Sequence, residues 1–123
     1  MSAVEDALDA LPEGAGALRA LIAEVAAGLE DIGPLQEALR WGQPAYLTDI
    51  GSTLRIGALQ DGSLALFAHC QSDVIARHAP LFPEAGVIEG NRAIRVGDVA
   101  GMADRLRPVI AYALRYHRAK TGG

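Results

Sequence analysis

Leu18, Leu21, Ile22, Val25 and Leu29 recur at the i, i+3, i+4, i+7 and i+11 positions of one buried helical stripe. The spacing predicts a helix that Gly33 and Pro34 end. A shorter helix is predicted ahead of it, from Ala3 to Leu11, stopped by Pro12 and Gly14. Pro34 suits the first turn of a further short helix reaching about Arg40, because that position needs no N–H. A last helix is marked by Leu106, Val109, Ile110, Ala113 and Leu114. Pro108 lies inside that pattern, so the helix either kinks there or becomes regular from about Arg107.

After Trp41 the period shortens to that of strands. Ala45-Tyr46-Leu47 leads through a loop at 48–52 into a strand over 53–60. Asp61-Gly62 reads as a two-residue hairpin turn with positive φ at both positions, pairing 53–60 with 63–70. In that register Leu54, Ile56, Ala58, Ala65, Phe67 and His69 share the expected core face, Ile56 opposite Phe67. Arg55, Gly57, Leu59, Leu64, Leu66 and Ala68 share the other. That second face is too apolar for open solvent, which points to a pocket, a covering segment or a homodimer contact. Ser72 is placed to cap a helix running towards His78. Gly90-Asn91 forms the turn of a second hairpin, flanked by Glu89 and Arg92 as a cross-strand ion pair. The expected fold is α+β: an antiparallel sheet of about five strands with helices packed on one face, a two-layer sandwich. Its 123 residues fit a single domain, 1–123.

Composition narrows the function classes. Half the residues are hydrophobic, yet no apolar run reaches the roughly 18–20 residues that cross a bilayer. The start of the chain is acidic, without the basic residues of a secretory signal. Cys70 is the only cysteine, so no internal disulfide forms and a cytoplasmic setting is expected. The net charge of −4 is uneven: ten acids face three bases in residues 1–61, and five acids face eight bases in 62–123. Those bases are spread over a hairpin and a helix with acids between them, which argues against a nucleic-acid partner. An unassigned small molecule or protein is the expected partner.

Two segments stand out: Arg40-Trp41-Gly42-Gln43-Pro44-Ala45-Tyr46 and the hairpin Glu89-Gly90-Asn91-Arg92-Ala93-Ile94. With the apolar strand 64–69 and an Ala/Tyr-rich last helix, they make residues 18–117 resemble the YdhG-like family, a domain of unknown function numbered 1801. The resemblance implies a small α/β sandwich. Most members have no assigned activity, and one branch is described as a frataxin-like iron chaperone. It therefore implies a binding or chaperone-like module rather than an enzyme, with iron as the cofactor to consider.

Several residues carry candidate chemistry. Trp41 and Tyr46 either line a ligand pocket at the helix–strand junction or serve, in the case of Trp41, as a plug between helix and sheet. A small-molecule enzyme at that edge is a further reading. Arg55, Arg92 and Arg95 suit bidentate contacts to an anion, or pairing with Glu89 and other acids. No Gly-rich phosphate loop accompanies them. In line with the iron-chaperone branch, the acids Glu5, Asp6, Asp9 and Glu13 offer oxygen ligands, with Glu5 and Asp9 on one helical face. His69, Cys70, His78 and His117 lack the spacing of a zinc site, and structural or surface roles are expected for them.

Overall fold

The computed structural model of the protein describes residues 2–69, 72–83, 87–88 and 92–117, the pair 87–88 by its backbone alone. Helices α1 (Ala3–Asp9) and α2 (Ala15–Ala27) come first, followed by strands β1 (Gln36–Arg40), β2 (Gln43–Leu47), β3 (Leu54–Ala58) and β4 (Leu64–Ala68). Helix α3 (Val74–His78) and a 3-10 turn (Ala79–Leu81) lead to β5 (Val87–Ile88), β6 (Ala93–Arg95) and the closing helix α4 (Val99–Leu114). Among the described residues six strands form one antiparallel sheet in the order β1-β2-β3-β4-β6-β5. The α+β fold with helices on one face is present.

The core lies between the helices and that face. Leu18 and Ile22 of α2 and Leu106, Ile110 and Leu114 of α4 pack with Tyr46, Leu54, Ile56, Leu66 and Ile94 of the sheet. The α2 stripe is the one its periodicity marks, although the helix ends at Gly28, before Gly33 and Pro34. Ser2 caps α1 reciprocally with Glu5, each side chain holding the other's backbone N–H. α4 runs unbroken through Pro108, whose ring is exposed to solvent. α3 begins at Val74, one residue later than a Ser72 cap implies, and the Ser72 hydroxyl instead donates to the His69 carbonyl. No described helix is long and apolar enough to cross a membrane.

Two expectations are corrected by the strands. Residues 36–40 form the edge strand β1, where a short helix to Arg40 is expected. Its partner β2 lies antiparallel across Trp41-Gly42, pairing Arg40 with Gln43. Both turn residues have positive φ, 52° and 77°, as a tight hairpin turn of the favoured hand requires. Ten backbone positions in register outweigh the helical propensity of Gln-Glu-Ala-Leu-Arg.

The β3–β4 register is the second correction. Leu59 N–H donates to Ser63 O and Gly62 N–H to Leu59 O, so the loop holds three residues, 60–62, with Gly62 left-handed. The extra residue pairs Leu54 with Ala68 and Ile56 with Leu66. The helix-covered face is therefore built from Leu54, Ile56, Leu64, Leu66 and Ala68, and Ala65 and Phe67 turn to the other. Leu64 and Leu66, expected on an open face, are core residues and offer no homodimer contact. In the second hairpin Ile88 pairs with Ala93, the register a turn at Gly90-Asn91 sets. The turn itself and Glu89 lie outside the described residues.

Edge strand β1 is tied to α2 by a forked pair. Arg19 Nε and Nη2 each donate at 2.7 Å to the Glu37 carboxylate. Those hydrogen bonds hold the Glu37 carboxyl below its usual value. Because the folded pKa is depressed, the pair stabilises the fold at neutral pH and the contribution fades as pH falls through the carboxylate range. Arg19→Met is expected to return the Glu37 midpoint upward to the ordinary range, read from its side-chain carboxyl signal by NMR. A midpoint that stays put contradicts the pairing.

Candidate functional site

The face of the sheet away from the helices is floored by small residues. Ala45, Ala65 and Ala93 stand on β2, β4 and β6, each fully buried. Register places Ala45 beside Arg55, Arg55 beside Phe67 and Phe67 beside Ala93, one row across four strands. A floor of methyl groups leaves height for long side chains to lie flat, and Arg55 does so. Its guanidinium carbon sits 5.2 Å from the Trp41 ring centroid and 5.4 Å from that of Phe67. Its Nη1 donates to Gln43 Oε1 at 2.6 Å. Gly57 makes room for this arrangement: a β-carbon there would strike the Gln43 amide and stand 3.1 Å from Phe67 Cε1.

Around Arg55 lies an open depression of about 690 Å³. Arg40, Trp41 and Gln43 line it from the first hairpin, Thr53 and Arg55 from β3 and its approach, and His69 and Arg92 from the ends of β4 and β6. Its chemistry is one-sided. Three arginines and a histidine line it, and no acidic residue lines it among the described residues. Trp41, at the hairpin tip, is 86% exposed. An indole left in water costs apolar hydration, about 2 kcal/mol relative to a buried ring, so its position is unfavourable for folding alone.

The structure brings Trp41, Arg55 and Arg92 together from the candidates read in the sequence. It separates the other two. Tyr46 is 2% exposed on the helix-covered face, where burial above all, and then the Glu37 carboxylate, raise its pKa well beyond the normal range. Arg95 is held by Asp61 and Ser63 at the β3–β4 turn, and its hydrogen bond to Asp61 keeps that carboxyl down at about 2. Trp41 is no plug between helix and sheet, since its hairpin points it outward. Arg40, Gln43, Thr53 and His69 join the site without having been singled out for it. Arg40 and Gln43 share a face as cross-strand neighbours either side of the Trp41-Gly42 turn, which no sequence signal marks.

None of the acidic candidates lines this depression. Glu5, Asp6 and Asp9 lie on α1 and Glu13 follows it, with Glu5 engaged in the capping pair. Among the described residues no group of three or more His, Cys, Asp or Glu side chains is placed to hold a metal ion. His78 Nδ1–H donates to the Val74 carbonyl at 2.7 Å, and its ring packs edge-on against Tyr112. Cys70 lies outside the described residues.

Comparison with known protein families, with curated proteins and with solved structures finds no match for this chain. No family is shown for the chain, and the chemistry of the site follows from its own residues.

Proposed function

We propose that this protein is a binding module that takes a small anion carrying a flat ring on the helix-free face of its sheet. One observation carries the reading: three arginines, His69 and an exposed tryptophan converge on one depression lined by no acid among the described residues. Guanidinium groups fork onto phosphate or carboxylate oxygens through paired N–H donors. The Trp41 face supplies stacking area for the ring. A volume near 690 Å³ lies within the 300–1,000 Å³ usual for small-ligand sites. The acids on the helices repel the same ligand elsewhere and favour its approach to this face.

Calorimetric titration with phenyl phosphate and with inorganic phosphate tests the proposal. Phenyl phosphate is expected to bind about tenfold more tightly than phosphate, with affinity falling as salt rises. Arg92→Gln is expected to weaken it about tenfold. Absence of binding by both anions at low salt rules the reading out.

A further inference from the structure

A second depression, about 370 Å³, adjoins the first and shares Thr53 and His69 with it. The two make one groove that runs from the Trp41 hairpin to the end of α4. Its far half differs in chemistry. Ser52, Thr53, Ser72 and Tyr116 bring hydroxyls to it, and His69 and His117 bring imidazoles. No arginine or lysine lines it among the described residues. The Ser72 hydroxyl is spent on the His69 carbonyl, and the Tyr116 hydroxyl takes the Asp73 N–H at 3.3 Å. The Ser52 and Thr53 hydroxyls have no hydrogen-bond partner among the described residues. This half is firmly placed: Ser52 N–H donates to Ala113 O at 2.8 Å and His117 N–H to Ile50 O at 2.9 Å.

A neutral hydroxyl can donate and accept together, which is what a vicinal diol offers in return. A second anion would instead need fixed cations, which among the described residues line the first half and not the second. From the sequence of chemistries along the groove we infer that the ligand is a ribonucleotide-type molecule, a nucleoside monophosphate. Its base lies on Trp41, its phosphate among Arg40, Arg55 and Arg92, and its ribose diol at Ser52 and Thr53. This inference rests on the anion-binding reading above. A monomer suits the groove better than a nucleic-acid strand, because a strand needs successive stacking rings and a basic track, and here Trp41 is the one exposed large aromatic among the described residues, on a chain of net charge −4.

The test compares adenosine 5′-monophosphate, its 2′,3′-dideoxy counterpart and phenyl phosphate by calorimetry at one ionic strength. The ribonucleotide is expected to bind about tenfold more tightly than the dideoxy compound, as loss of two hydrogen bonds implies. In the Ser52→Ala variant, which removes one of the two diol hydroxyls, that preference is expected to fall to about threefold, with phenyl phosphate affinity within twofold of wild type. Equal binding of the ribo and dideoxy compounds overturns the inference while the anion reading stands. A full tenfold preference that survives in Ser52→Ala, with the amide spectrum intact, overturns the placement of the diol. An oligonucleotide that binds much more tightly per site than the monomer overturns the choice of ligand. Absence of phenyl phosphate binding removes the underlying reading and the inference with it.

Discussion

Gly51→Ala is expected to lower the stability of the fold by about 3 kcal/mol, the upper end of what one inserted methyl costs. A β-carbon at this position would stand 2.6 Å from the Leu114 carbonyl oxygen, 2.9 Å from that of Ala113 and 2.7 Å from Thr48 Oγ1. Two of these obstacles are backbone, which cannot swing aside. They are also the carbonyls that end α4, and a helix end leaves such groups without partners of its own. The loop at 48–52 supplies those partners. Thr48 Oγ1 donates to Leu114 O at 2.7 Å in a buried position, and Ser52 N–H donates to Ala113 O at 2.8 Å. The methyl group therefore breaks the contact that closes the last helix onto the sheet. In urea unfolding the midpoint is expected to fall by more than about 1 M, given slopes of about 1–3 kcal/mol/M for small proteins. An unchanged midpoint contradicts this docking of loop on helix.

Arg55→Met is expected to weaken phenyl phosphate binding by about 10–100-fold, the loss that goes with a charge-assisted hydrogen bond. Methionine keeps an apolar stem over the alanine floor, so stability is expected to change by less than about 1 kcal/mol. A gentler perturbation reaches the same group without touching its charge. The methyl group of Gly57→Ala meets the Gln43 amide, whose oxygen accepts from Arg55 Nη1. Displacing that amide frees the guanidinium from its position between Trp41 and Phe67, and a loss of about threefold to tenfold is expected. Calorimetry on both variants provides the check. Wild-type affinity in Arg55→Met contradicts a role for this guanidinium in the site.

Some of this architecture is legible in the sequence because its pattern has one physical reading. Leu18, Leu21, Ile22 and Leu106, Val109, Ile110 repeat at helical spacing, and both stripes are buried. The pairing of Ile88 with Ala93 matches the register that Gly90-Asn91 implies in the sequence. Strand β1 is different. It sits at the sheet edge with only Ala38 half-buried, so no alternation marks it and its composition favours a helix. Trp41 hides the turn, since an aromatic residue at positive φ is not a turn signal. Gln60 joins a loop that Asp61-Gly62 reads as two residues, and a slip of one residue in pairing changes which strand faces meet. The candidate site depends on these points. Trp41, Arg55 and Arg92 can be picked out by chemistry, but their meeting on the open face, and the exclusion of Tyr46, follow only from the corrected hairpins.

The central claim is that the helix-free face is where this protein meets its ligand. Titrating phenyl phosphate into isotope-labelled protein tests it most directly, because the single tryptophan gives one indole N–H signal. The account predicts a saturable shift of that Trp41 signal, together with amides of Arg40, Thr53, Arg55, His69 and Arg92, while α1 and α2 stay silent. Shifts confined to the helices, or no saturable shift with the fold intact, contradict it.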